Sequence, residues 1–82
     1  MRIIRRRRGP HGGNAYHVLV AATNGDAIPA RGSQLVLEDM GWLAVDVLRP
    51  VRGSVPGLQR GERPYAMEVR TLEPVGSLED IG

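Results

Sequence analysis

The sequence predicts a mostly β fold: a small antiparallel sheet, or a partly closed barrel, of four or five short strands. Three observations carry this expectation. Apolar and polar residues alternate over Tyr65–Leu72, as they do on a strand with one buried face. Valine recurs through AYHVLVAAT at 15–23 and WLAVDVL at 42–48, and a side chain branched at Cβ suits pleated backbone better than helix. Gly, Pro and an Asn-Gly pair separate these runs, marking turns. The alternative is an α+β fold with one short helix at about 33–40.

The chain has 82 residues, enough for one domain that buries roughly 60–65% of its unfolded surface. It contains no Phe, one Trp and two Tyr, so its core must come from Val, Leu, Ile, Ala and Met. The organisation expected is a basic arm or edge strand at 1–8, a single small globular domain at 9–74 and an acidic C-terminal tail at 75–82.

Residues 2–8 read as extended backbone, with Ile3 and Ile4 adjacent and so on opposite faces. GPHGGN at 9–14 is a turn. Residues 15–23 form a strand with Tyr16, Val18, Val20 and Ala22 on one face and His17, Leu19 and Ala21 on the other. Both faces are fairly apolar, which predicts a central position. Asn24-Gly25 signals a tight turn, since both residues tolerate positive φ. Pro29 makes the following segment a loop or a short edge piece.

Residues 34–48 admit more than one reading. As a hairpin, Leu35–Glu38 pairs with Trp42–Leu48 across Asp39-Met40-Gly41, and a type I turn closed by a positive-φ Gly fits that spacing. As a helix, Ser33 is the N-cap and Val36, Met40, Leu43 and Val47 share a stripe. A third form ends a short helix at Gly41 and begins a strand at Trp42. Val36, Val45, Val47 and Gly41 disfavour one long helix, so strand is expected at 42–48. Residues 49–64, with three Pro, three Gly and four Arg, form a loop. Loops of that length are uncommon and often functional. The last strand is 65–72, with Tyr65, Met67, Val69 and Thr71 inward and Glu68 and Arg70 outward. By strand count such a sheet resembles small barrels of the Tudor-like kind, a likeness that carries no function.

The charges are unevenly spread. Arg2, Arg5, Arg6, Arg7 and Arg8 place +5 in the first eight residues, and no lysine occurs anywhere. The remainder holds six arginines against nine acids, a net −3. Glu73, Glu79 and Asp80 make the last ten residues acidic. An asymmetry of this kind points to a polyanion, an acidic protein face or a membrane surface as partner. All-arginine usage also follows from a GC-rich genome. An extended eight-residue arm spans roughly 26 Å, and guanidinium forks donate two hydrogen bonds to one phosphate or carboxylate. Five duplex contacts would give a log–log salt slope of about −4.5. Arg49, Arg52, Arg60 and Arg63 in the long loop would extend the basic surface if the loop folds beside the arm.

Catalytic patterns are lacking. No cysteine is present, which removes disulfides, thiolate metal sites and cysteine nucleophiles and fits a reducing compartment. His11 and His17 are the only histidines, too few for a zinc centre. Glu38 and Asp39 are adjacent and read as surface charges beside a turn. Ser33 and Ser54 lie outside any nucleophile elbow, and the glycines match no phosphate-binding spacing. VLVAATNGDAIPARG followed by DMGW is loosely similar to corrinoid-binding domains. That family's metal-ligating histidine falls on Ile28 here, so the likeness implies no cofactor. Trp42 and Tyr65 are expected in the core, leaving few aromatics for stacking on bases.

The function expected is that of a small non-enzymatic binding protein, without cofactor or metal. It would engage a protein partner or itself, as an adaptor, inhibitor or structural subunit of a phage or mobile element. The arm would dock on an acidic face, or on the acidic tail of a neighbouring copy. The alternative is nonspecific binding of DNA or RNA through backbone phosphates. No membrane role is expected, since no apolar run approaches the ~20 residues of a span, and the expected location is cytoplasmic.

Overall fold

Alternating valines and leucines decide the sheet. In a computed structural model of the chain, which describes residues 1–10 and 13–72, five antiparallel strands form one curled half-barrel. They are β1 (Arg2–Arg8), β2 (Ala15–Ala22), β3 (Gln34–Leu37), β4 (Gly41–Pro50) and β5 (Arg63–Thr71), in the order β1-β2-β5-β4-β3. His11, the acids Glu73, Glu79 and Asp80, and the expected tail at 75–82 lie outside the described residues.

The mostly β expectation is met. The only helical turn among the described residues is a three-residue 3-10 turn, Glu38–Met40. The helix considered at 33–40 is therefore absent. Leu35 and Leu37 turn toward the core while Val36 between them is exposed, a period of two that a helix cannot satisfy. The 3-10 turn ends at Gly41, whose φ of 76° is a conformation that side-chain-bearing residues seldom adopt. Glu38 also has positive φ, 41°.

The inner face carries the core. Val18 and Val20 of β2, Leu37 of β3, Leu43 and Val45 of β4, and Met67 and Val69 of β5 are at most 2% exposed. Met1, Ile3, Tyr16, Leu35, Met40, Leu48 and Tyr65 pack against them. With no Phe available, aliphatic side chains fill a single layer between the sheet and its own curl.

Several boundaries differ from expectation. The loop between β4 and β5 is shorter than 49–64, running over 51–62. The Val51 amide donates to the Pro64 carbonyl at 3.1 Å and so extends the pairing of both strands. Pro50 and Pro64 fit at strand ends, where a missing amide hydrogen breaks no interior rung. A turn does form at Asn24-Gly25, closed by the Asp26 amide on the Thr23 carbonyl at 3.0 Å. Gly25 is not among the positive-φ glycines and no paired strand follows, so this is not a two-residue hairpin. Instead the Asp26 carboxylate accepts the Thr23 amide at 2.8 Å.

Two irregularities shape the faces. The β1–β2 register shifts between Ile3 and Arg5, and the β4–β5 register shifts between Val45 and Val47. Each leaves one extra residue, Ile4 or Asp46, a β-bulge that locally increases bend and twist. Trp42 corrects another expectation. It is 59% exposed, because it lies out of phase with the buried pair Leu43 and Val45 and faces outward beside Val36.

Candidate functional site: an arginine-lined depression

The arginine run forms β1, hydrogen-bonded to β2, and strand alternation divides its side chains between two faces. Beyond the bulge, Arg6 and Arg8 lie opposite Val18 and Tyr16 on the inner face. Arg5 and Arg7 lie opposite Leu19 and His17 on the outer face. Four adjacent cations thus become two pairs with different surroundings.

The inner pair, and Arg2, are engaged within the molecule. Arg2 donates to both carboxylate oxygens of Glu62, at 2.6 and 3.2 Å, and to the Gly57 carbonyl at 2.8 Å. The Glu62 side chain is only 8% exposed. Its Oε1 also accepts the Gln59 amide at 2.7 Å. These bonds hold the Glu62 carboxyl below the usual carboxylate range, Arg2 first and the Gln59 amide second, and Glu62 raises the Arg2 guanidinium. Arg6 donates to Asp39 at 2.9 Å, which lowers the Asp39 carboxyl. Arg8 donates to the Gly13 carbonyl at 3.0 Å and the Tyr16 hydroxyl at 3.1 Å. Its guanidinium carbon lies 5.4 Å from the Tyr16 ring centre, within cation–π range.

The outer pair has a different role. Arg5 and Arg7 are exposed, and neither forms an ion pair with any described residue. Two rungs run from them across the sheet. One is Arg7–His17–Glu68–Val47 and the other Arg5–Leu19–Ala66–Arg49. Three strand spacings of ~4.8 Å put Arg5 and Arg49 roughly 14 Å apart at the backbone. Between them lies a depression of about 320 Å³ lined by Arg5, Arg7, His17, Leu19, Val47, Arg49, Ala66 and Glu68, with Val18 and Met67 beneath. Its floor is apolar, and its rim holds three guanidiniums against one carboxylate. His17 Nε2 stands 3.9 Å from Glu68 Oε1.

The remaining cations expected on the loop do not join this rim. Arg52, Arg60 and Arg63 are exposed but none lines the depression. The loop does fold beside β1, through Gly57 and Glu62, but its contact there is an acid that neutralises Arg2. Of the nine arginines expected to form a partner surface, Arg5, Arg7 and Arg49 converge. Arg2, Arg6 and Arg8 are bound internally, and Arg52, Arg60 and Arg63 stand apart.

Glu38 and Asp39, expected as surface charges beside a turn, reach β1. The Glu38 carboxylate accepts the Ile3 amide at 2.8 Å, while Asp39 takes Arg6. The 3-10 turn thereby clips β1 to the opposite end of the sheet. Asp46, the bulged residue of β4, receives Arg70 at 2.8 and 3.0 Å, and this ion pair lowers its carboxyl. A second depression of about 300 Å³, lined by Arg6, Tyr16, Asp39, Met40 and Thr71, contains a cation already paired.

Residue pattern alone did not mark His17, Leu19, Val47, Ala66 or Glu68 as site residues. Their grouping depends on strand order and on the β4 bulge, which turns Val47 outward and leaves Leu48 in the core. Among the described residues, no three His, Cys, Asp or Glu stand together as a metal site, and no helix is long and apolar enough to cross a membrane. Comparison with protein-family models, curated proteins and solved structures finds no match.

Proposed function

We propose that this chain is a non-enzymatic binding domain that recognises an acidic, extended segment of a protein partner in the Arg5–Arg7–Arg49 depression. In this reading it acts as an adaptor, inhibitor or structural subunit. The cysteine-free composition supports a reducing, cytoplasmic setting. The observation that carries the reading is the convergence of three exposed arginines from β1 and β4 on an apolar floor of Leu19, Val47 and Ala66. Guanidiniums fork onto carboxylates, and an apolar floor between them accepts aliphatic side chains of the same segment.

The same geometry argues against a phosphate backbone as the main ligand. Arg2, Arg6 and Arg8 already donate to oxygens of the molecule, which leaves three converging cations rather than a continuous basic stripe to follow a phosphate backbone. Three duplex contacts instead of five would reduce the salt slope from about −4.5 to about −2.7. Trp42, the exposed aromatic, is seven residues along β4 from Arg49, roughly 23 Å of strand. It is too distant to stack on a base whose phosphates meet those arginines.

Titration of a peptide alternating Glu with Leu, and of a random-sequence duplex, separates the two ligands. The expected result is saturable peptide binding in the range of roughly 10–100 µM that weakens with salt, and weaker duplex binding. Tighter duplex binding with a slope near −2.7 would transfer the depression to nucleic acid. No binding of either ligand at low salt would remove the proposal.

A further inference from the structure

The depression leaves one surface unexplained, the far edge of the sheet. β3 is the last strand in the order. Apart from its ladder to β4, no hydrogen bond among the described residues involves Gln34–Leu37. Gln34-Leu35-Val36-Leu37 contains no charge and no proline, the usual guards of an exposed edge. Beside that edge, on the outer face, Val36 is 52% exposed and Trp42 59% exposed. The two are direct cross-strand partners and form one apolar patch.

We infer that this edge is a self-association surface, at which two copies of the chain pair their β3 strands antiparallel about a two-fold axis. The occupant is read from the charges flanking the strand. Arg31 precedes β3 and Glu38 follows it, both exposed. Asp39 is already paired with Arg6, whereas Glu38, among the described residues, meets only a backbone amide and keeps its charge free. Antiparallel pairing centred on β3 brings Arg31 of each copy toward the acidic turn of the other. Parallel pairing would set like charges together. An isologous contact of this kind needs only one self-complementary patch. It joins the two sheets into a continuous ten-stranded one and, with the two-fold axis at Val36, lays Val36 against its copy with Trp42 one strand behind it on each side. A four-residue strand offers few rungs, so the dimer is weak. The depression spans β1, β2, β5 and the Val47–Arg49 end of β4, beyond the Gly41–Ala44 stretch that pairs with β3, and stays open in this arrangement.

Trp42 is the chain's single tryptophan, so its emission reports on this patch alone. Sedimentation equilibrium and tryptophan emission, followed from roughly 1 µM to roughly 1 mM, should show the mass doubling and the emission moving to shorter wavelength over the same range. Val36→Lys, at an exposed position, should weaken association at least about tenfold and keep the circular dichroism of the native protein. Arg5→Gln/Arg7→Gln should leave association unchanged. A chain that stays monomeric throughout with unmoved emission overturns the inference, as does a Val36→Lys protein that dimerises like the native one. Monomeric protein whose emission shifts only on adding an unrelated extended apolar peptide also overturns it, and assigns the edge to foreign strands.

Discussion

The two edges of the sheet are built on opposite plans. β1 presents four consecutive exposed arginines, and it is clipped by Glu38 on the Ile3 backbone amide and by Asp39 on the Arg6 side chain. β3 is short and uncharged, with Val36 and Trp42 exposed beside it. An edge strand is an open template for pairing, and charge is a common defence. The contrast shows that defence and recognition can share one strand. Alternation sends Arg6 and Arg8 to the inner face, where they bind the molecule itself. It sends Arg5 and Arg7 outward, where they join Arg49. The basic segment is therefore part of the fold. Deleting residues 1–8 would remove a strand and the packing of Met1 and Ile3 on the core, so point substitutions are the sharper test of its binding role.

The largest expected effect concerns the sheet that joins both edges. Leu43 on β4 is fully buried and lies opposite Leu35 of β3 and Thr71 of β5. Leu43→Ala should cost about 2–5 kcal/mol, a large share of the ~5–10 kcal/mol available to a small domain. Hydrogen exchange should rise first in β3. Urea unfolding unchanged within error would mean that β3 is not anchored as described.

Acid should act on β1 more than on β3. Asp39 and Glu62, the two carboxylates that pair with its arginines, both titrate below the usual range. Each favours the ionised form in the folded state, so the unfolded chain takes up protons first as pH falls. The stability they contribute is complete above about pH 5 and is lost as pH drops below about 4 and through the lowered folded values. Thermal melts from pH 7 to pH 3 should show this loss, and Glu62→Gln should flatten it. An acid profile identical in native protein and Glu62→Gln would show that the Arg2 pair is not involved.

A smaller effect is expected at Glu38, whose positive φ is strained for a residue with a Cβ. Glu38→Gly relieves that strain but removes the clip on the Ile3 amide, whereas Glu38→Gln keeps an acceptor. Amide exchange at Ile3 should accelerate in the glycine variant and stay near native in the glutamine variant. Equal acceleration in both would require the full negative charge.

Much of the fold was legible because a period of two survives in single strands. Val18 and Val20, and Met67 and Val69, announce a buried face without reference to anything distant. Trp42 was misread as core, although its strand contained the contrary signal. Asp46, two pairs along in the same phase, marks that face as the wet one, while Leu43 and Val45 mark the other. The depression was not legible. Arg5 and Arg49 are far apart in sequence and meet only through the order β1-β2-β5-β4, and the bulges at Ile4 and Asp46 set which residues face outward. The partners of Arg2 and Arg6 were hidden for the same reason, since Glu62 and Asp39 lie 60 and 33 residues from them in the chain.

The division of the arginine run is tested most directly by two variants of equal charge. Arg5→Gln/Arg7→Gln and Arg6→Gln/Arg8→Gln each remove two cations, so any effect of net charge is the same in both. Calorimetric titration with the Glu-Leu peptide should show the first variant losing at least about tenfold in affinity, about 1.4 kcal/mol, and the second losing less than about threefold. Equal losses in the two variants would mean that the run attracts its partner only as a block of charge, and would contradict the assignment of the site to the outer face.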